Sequence, residues 1–302
     1  MHIKKMFLEK KPVVSFEVFP PNLQKSLDSI NKTLGKLSEL QPDFISVSYP
    51  TLGSSDEKSR TISLASYIKQ LKVEPMAHLT CINSTKQEID DQLSRIKDLG
   101  IENVLALRGN TPSGEAEVNI RGPYQYAVDF ITEIRANHQF SIGAGCYPEG
   151  HLEAQSRTQD LAYLKQKVEA GVDFLITQLF FDNNDFYNFV KEARQLGIKV
   201  PIMAGIMPVV NGRQIVKIAA KCGARLPDKF TKIIDRYQDN KQALRDAGLA
   251  YASEQIIDLL SSGCDGIHIY TMNRPQTTRR LFNNIKSIVE ALKLEESERD
   301  AV

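Results

Sequence analysis

Ser15-Phe16-Glu17-Val18-Phe19-Pro20-Pro21 sets one carboxylate in a β-prone run that stops at two prolines. In a strand, alternate side chains share a face, so Ser15, Glu17 and Phe19 point one way and Phe16 and Val18 the other. Neither proline can donate a ladder hydrogen bond, so the strand ends there and a loop begins. An ionisable group near the end of an apolar strand is costly unless a site uses it. The chemistry this placement suits is general acid catalysis by Glu17. The plain alternative is an edge-strand carboxylate facing water.

Further polar groups fall at the ends of other apolar runs: Ser48-Tyr49, His78 with Thr80, Arg108-Gly109-Asn110, Tyr147 through His151, Thr177-Gln178, Pro208, and Tyr270 through Arg274. Each has a bland reading. His78, between Ala77 and Leu79, suits a core histidine bonded to a backbone carbonyl. Asp160, Tyr163 and Lys167 share one helix face, which is usually solvated. Leu179-Phe180-Phe181 suits simple core. His78, Cys81, Cys146 and His151 lack the spacing of a zinc site, so no metal is expected.

The elements that must position these groups alternate regularly. Strands are expected at Val13–Val18, Phe44–Ser48, Pro75–Thr80, Asn103–Leu107, Ser141–Tyr147, Phe174–Thr177, Pro201–Ile206 and Gly266–Tyr270. Helices are expected over Leu23–Leu40, Asp56–Leu71, Tyr124–Asn137, Thr158–Ala170, Asp185–Leu196, Arg213–Lys221, Gln242–Ser262 and Gln276–Leu294. Another, framed by Ser84 and Glu88, runs to Leu99, and an extra one, Pro227–Tyr237, is inserted before the eighth strand. Continuous apolar strands separated by helices imply a parallel sheet covered on its outer face. Eight such units, spaced at roughly 30 residues, fit a (β/α)8 barrel better than an open doubly wound sheet. No G-x-G-x-x-G follows any strand, which also lowers the Rossmann option. In such a barrel the strand ends that carry the polar groups form the active-site face. One domain over residues 1–302 is expected, with a charged tail from about residue 295.

Composition narrows the function classes. The chain has 302 residues, 42% of them hydrophobic and 25% charged, enough to build a core. A net charge of +1 offers no whole-molecule attraction to nucleic acid or anionic membrane. No run approaches the roughly 18 apolar residues of a membrane span. Four scattered cysteines without a Cys-x-x-Cys pair suit a reducing, cytoplasmic setting.

At this point the motifs together resemble the methylenetetrahydrofolate reductase family. The resemblance rests on Ser15 to Pro21, Ser46-Val47-Ser48-Tyr49, His78-Leu79-Thr80-Cys81 and Ala106-Leu107-Arg108-Gly109. It continues through Tyr147-Pro148-Glu149-Gly150-His151, Ile176 to Asp182, Gly205-Ile206-Met207-Pro208 and Tyr270-Thr271-Met272-Asn273-Arg274. These occur in the family's order across essentially the whole chain, and the length resembles its bacterial, catalytic-domain-only form.

What the resemblance implies is a (β/α)8 flavoprotein with non-covalent FAD and ping-pong chemistry. NADH or NADPH would give hydride to flavin N5, and 5,10-methylenetetrahydrofolate would then take it to become 5-methyltetrahydrofolate, in methionine biosynthesis. Glu17 would protonate the departing folate nitrogen, a task helped if burial raises its pKa. Gln178 would hydrogen-bond the pterin, and Arg274 would lie on the substrate side. Ser48, Tyr49, His78, Arg108, Gly109, Asn110, Tyr126, Tyr147, His151, Asp160 and Lys167 would fall on FAD-contact positions. The resemblance also implies a homo-oligomer.

Three positions depart from the pattern. Asn110 stands where an aspartate beside the flavin is common, so a flavin easier to reduce is expected. Gly212 replaces an aromatic that stacks on the folate, and Gln166 replaces a cation beside Lys167. A different class, a non-catalytic flavin- or folate-binding subunit, would have no need for both Glu17 and Gln178. A phosphosugar lyase on the same fold would want a Schiff-base lysine at a strand end, whereas Lys165 and Lys167 are expected on a helix.

Overall fold

Along each strand, alternate residues part to opposite sides of a closed sheet, and this parity decides which groups enter the site. A computed structural model describes residues 1–21, 26–49, 55–82, 84–109 and 122–299. Its eight parallel strands pair in chain order and close on themselves: β1 (Val13–Val18), β2 (Phe44–Val47), β3 (Glu74–Thr80), β4 (Asn103–Leu107), β5 (Ser141–Cys146), β6 (Phe174–Thr177), β7 (Ile202–Ile206) and β8 (Gly266–Tyr270). After them come α2 (Leu27–Ser38), α3 (Ser55–Gln70), α4 (Lys86–Asp98), α5 (Ala127–Asn137), α6 (Arg157–Glu169), α7 (Asn183–Gln195) and α8 (Gly212–Cys222). Two further helices, α9 (Asp228–Tyr237) and α10 (Lys241–Ser261), precede β8, and α11 (Pro275–Arg299) follows it. The expected (β/α)8, or TIM, barrel with an insertion before the eighth strand is therefore present.

On β1 the outward residues Val14, Phe16 and Val18 join the core beneath the helices. The Phe16 ring meets Phe282 of α11 edge-on at 5.9 Å. Burying each such side chain contributes roughly 1.5–3 kcal/mol. The inward set, Ser15 and Glu17, shares the barrel interior with His268 of β8. Register carries the rest: Ser15 pairs with Phe44 and His268, and Glu17 with Ser46 and Tyr270.

One helix is not among those expected. α1 (Ile3–Glu9) packs Ile3 and Met6 against Val13, Phe44, Met76, Leu105, Phe174 and Met203, closing the barrel at the N-terminal ends of its strands. Seven residues with three apolar contacts, Phe7 meeting the Phe174 ring at 5.5 Å, are too short to read as a helix from periodicity, and too short to hold one without tertiary support. That support is ionic as well. Asp43, Asp173 and Asp265 each precede a strand by one residue and accept a backbone N–H from the strand beside it (Val14, Ile142 and Ile202). Each also pairs with a lysine at or near α1: Lys10, Lys4 and Lys11 respectively.

Helix starts differ slightly from expectation. α4 is capped by Thr85, not Ser84: Thr85 Oγ1 accepts from Glu88 N, and the Glu88 carboxylate accepts from Thr85 N. This is the three-residue spacing a capping box requires. α5 begins at Ala127 because the Asp129 carboxylate accepts from the N–H groups of Gln125 and Tyr126. Gly100, Gly171 and Gly197 close their helices, at φ of 66°, 117° and 80°. Among the described residues no helix is long and apolar enough to cross a membrane.

Candidate active site

The inward parity of β1, β3 and β8 brings three titratable side chains together. Glu17 Oε2 lies 3.2 Å from His268 Nε2 and 3.7 Å from His78 Nε2, with all three side chains buried. On the far edge of the imidazole, His268 Nδ1 is 2.7 Å from Ser15 Oγ. A hydroxyl donating to Nδ1 leaves the His268 proton on Nε2, aimed at Glu17. The result is a buried line of hydroxyl, imidazole and carboxyl.

This arrangement corrects the expectation of a raised Glu17 pKa. Burial alone pushes the carboxyl up, but the charge of His78 and the hydrogen bond from His268 together pull it below its ordinary value. The His78 ring is itself pushed down to about 4, mainly by burial. Above that pH it is neutral, and the opposing influence on Glu17 passes chiefly to the His268 hydrogen bond.

Tyr270 closes the floor beside this cluster. Its hydroxyl donates to the Thr177 carbonyl at 2.8 Å, and its ring stands edge-on to His268 at 5.2 Å. Gly205 makes the room. A Cβ there would sit 2.3 Å from the Thr177 carbonyl oxygen and 2.9 Å from the Tyr270 ring. Gln178 extends β6 by donating its N–H to the Cys146 carbonyl. Its side-chain Oε1 accepts from Leu179 N at 2.9 Å, so the amide NH₂ is the half left to offer a ligand.

A second group forms around the ends of β4 and β5 and on α6. Arg108 makes a two-point ion pair with Glu153, with Nη1 2.6 Å from Oε2 and Nη2 3.2 Å from Oε1. Tyr147 and His151 stack edge-on at 4.5 Å, and Asp160 accepts from His151 N. Lys167 Nζ donates to the Gly145 carbonyl at 2.7 Å, and burial lowers its pKa. Asp160 and Lys167 thus turn toward the barrel, whereas Tyr163 from the same heptad is 48% exposed. Gly109 adopts φ of 90°, which favours glycine, and Tyr126 is 57% exposed.

Other expected positions go elsewhere. The Tyr49 ring packs into the helix layer, its hydroxyl donating to Gln92 on α4 at 2.6 Å. Ser48 stays half-buried, and its carbonyl accepts from Thr61 Oγ1. Arg274 lines a small cavity with Met272, Gln214 and Pro208. Gly212 is buried against Ile234 of α9, whose Cγ2 lies 2.7 Å from where a Cβ would stand. The space beside this position is filled by aliphatic carbon. Both Phe180 and Phe181 are core. Asn110 lies outside the described residues. His268 is the member of this cluster that the sequence did not single out, because a lone histidine between Ile267 and Ile269 looks like core. Its parity with Tyr270, at a strand end already singled out, was the signal available.

A family model described as methylenetetrahydrofolate reductase matches residues 2–286. The rice (Oryza sativa subsp. japonica) protein named probable methylenetetrahydrofolate reductase (NADH) is 35% identical over 302 residues, covering 96% of this chain and 50% of the relative. The Escherichia coli (strain K12) 5,10-methylenetetrahydrofolate reductase is 35% identical over 273 residues, covering 90% of each. The chain therefore spans about half the length of the plant relative and most of the bacterial one. Among solved structures, an uncharacterized Clostridium thermocellum protein, described as binding two copies of 5-methyl-5,6,7,8-tetrahydrofolic acid, superposes with a TM-score of 0.68. It covers 96% of this chain and 99% of its own at 14% identity, a likeness that bears on the fold alone.

Proposed function

The chain belongs to the methylenetetrahydrofolate reductase family, and from that premise we propose that it reduces 5,10-methylenetetrahydrofolate to 5-methyltetrahydrofolate, with electrons from a reduced nicotinamide passed through non-covalent FAD. The observation that supports this most is Glu17 itself: one carboxyl, buried at a strand end in the barrel mouth and touching two imidazoles. A buried acid so placed is costly as scaffolding and useful where a nitrogen must leave as a neutral amine.

The donor set on the β3–β5 side fits an adenine dinucleotide. His78 Nε2, Thr80 Oγ1 and Arg108 Nε are buried without a hydrogen-bond partner among the described residues. The Lys167 ammonium has three donors, one of them given to Gly145 O. Such groups want acceptors, and a diphosphate and a flavin ring supply them. When bound, FAD supplies the two-electron chemistry that no side chain can. His78, Arg108, Gly109, Tyr126, Tyr147, His151, Asp160 and Lys167 would hold it, with Lys167 acting as a point charge on the diphosphate.

The remaining residues act on the folate. Gln178, its carbonyl already engaged, offers N–H donors to an acceptor on the pterin. The free protein holds Glu17 as a carboxylate, so it takes up a proton once the ligands cover it and then gives that proton to the nitrogen that departs as the five-membered ring opens. The carboxylate that remains is stabilised by His268 N–H, and the Ser15 hydroxyl behind the imidazole holds its tautomer.

The test is an anaerobic one. Protein reconstituted with FAD should be bleached by NADH or NADPH and regain its visible absorbance when methylenetetrahydrofolate is added. Protein that takes up no FAD, or that stays bleached in the presence of the folate, would refute the proposal.

A further inference from the structure

The end of β1 that carries Glu17 is held by a segment to which the chemistry above gives no task. The Glu17 carbonyl accepts twice from one residue, Thr271, whose Oγ1 lies at 2.6 Å and N at 3.2 Å. Beyond it, both backbone groups of Phe19 are taken by one side chain. Asn273 Oδ1 accepts from Phe19 N at 2.9 Å, and Asn273 Nδ2 donates to Phe19 O at 2.8 Å. A side-chain amide offering one acceptor and one donor to a single residue imitates the next rung of a β-ladder. The imitation comes just before Pro20 and Pro21, which cannot supply a ladder N–H.

The segment is bent specially to do this. Met272 and Asn273 both lie in the left-handed region, at φ of 51° and 55°. L residues rarely adopt that conformation, two in succession are costly, and such strain gathers where a site needs it. Thr271 secures the bend from inside: its Oγ1 accepts from Asn273 N, and its carbonyl accepts from Arg274 N. Thr271 itself is buried.

We propose that Asn273, assisted by Thr271, is the positioning residue of Glu17: it replaces the missing rung after β1 and so fixes the carboxyl against His268 and His78. The proposal rests on the reading of Glu17 as the acid that opens the folate ring. Asn273 touches neither the carboxyl nor the histidines in this structure. Its effect passes through the Phe19 backbone. The groups facing the carboxyl are His78, His268 and Tyr270, contributed by β3 and β8.

Asn273→Gly tests this, because glycine keeps the left-handed backbone and removes only the amide. In the FAD-loaded protein, the rate at which methylenetetrahydrofolate restores flavin absorbance should fall about 10- to 100-fold, as expected for a displaced catalytic group. Bleaching by the nicotinamide should be unchanged. Asn273→Asp, which keeps the acceptor and loses the donor, should fall in between, and Thr271→Val should act in the same direction. A second readout needs no folate or flavin. The carboxyl of Glu17, followed by ¹³C-glutamate NMR and assigned by its loss in Glu17→Gln, should titrate nearer the ordinary glutamate value in Asn273→Gly.

A wild-type folate step with an unmoved titration overturns the proposal, even if the melting temperature drops. Parallel loss of both half-reactions also overturns it, since that marks general damage. If Glu17→Gln keeps normal folate turnover, the acid reading fails instead, while the carboxyl titration of Asn273→Gly still reports whether the clamp positions Glu17.

Discussion

His268 and Glu17 share a hydrogen bond sealed inside a closed barrel, 3.2 Å from Nε2 to Oε2, with the imidazole fully buried and the carboxyl nearly so. The contact is a product of strand parity. Residues 266, 268 and 270 of β8 and residues 13, 15 and 17 of β1 all face inward, and parallel register sets the imidazole between Ser15 and Glu17. Two apolar strands thereby carry a polar line through the barrel interior.

That burial has a signature in acid. His78 is held down to about 4 by burial, from an ordinary value of 6.5. The unfolded chain therefore takes up this proton first as pH falls. The stability it guards is fully present above about pH 6.5 and is lost progressively down to about pH 4, by about 3 kcal/mol at most. Glu17 acts in the same sense lower down: its carboxyl is held below the ordinary value of 4.5, so its contribution is present above that pH and lost below it. Denaturant melts of wild type and His78→Gln across this range should converge toward pH 4. A constant gap between the two curves would contradict the assignment.

Gly205→Ala should destabilise the barrel and unseat Tyr270. The added Cβ would meet the Thr177 carbonyl oxygen at 2.3 Å, and a backbone group in a strand cannot step aside cheaply. A cost of about 1–3 kcal/mol is expected for such overpacking. Thermal melts check the size. A variant as stable as wild type would show that the floor of the site is softer than its packing suggests.

Lys167→Met keeps an unbranched side chain, one atom shorter, and removes its charge. If this buried ammonium holds the FAD diphosphate, losing one charge-assisted contact of about 1.5–3 kcal/mol weakens binding about 10- to 100-fold. Fluorescence titration of flavin-free protein with FAD measures it. Equal affinity in variant and wild type would remove Lys167 from the site.

Legibility in the sequence divides along physical lines. Strands β1, β4, β6 and β8 were readable to the residue, because runs such as Phe174–Thr177 are apolar on both faces and bounded by polar helices. The Glu17 carboxyl stood out as a charge in such a run. What escaped depends on contacts distant in sequence. α1 is a helix because the barrel floor receives Ile3 and Met6, not because its own pattern demands one. Tyr49 reads as a mouth residue by position, yet Gln92 on α4 draws its hydroxyl into the helix layer. His268 is hidden by its isoleucine neighbours, and the Asn273 clamp by a pair of left-handed residues that no composition rule foretells. The sign of the Glu17 shift escaped for the same reason: burial and His78 were legible, but the convergence of His78 and His268 on the carboxyl was not.

The most direct test of the central claim is to follow both half-reactions of Glu17→Gln separately by anaerobic stopped flow. Bleaching of the bound flavin by nicotinamide should proceed at the wild-type rate. Its return on adding methylenetetrahydrofolate should slow by about 10²- to 10⁴-fold, the usual loss for a general acid. Folate-driven return at the wild-type rate would contradict the role given to Glu17.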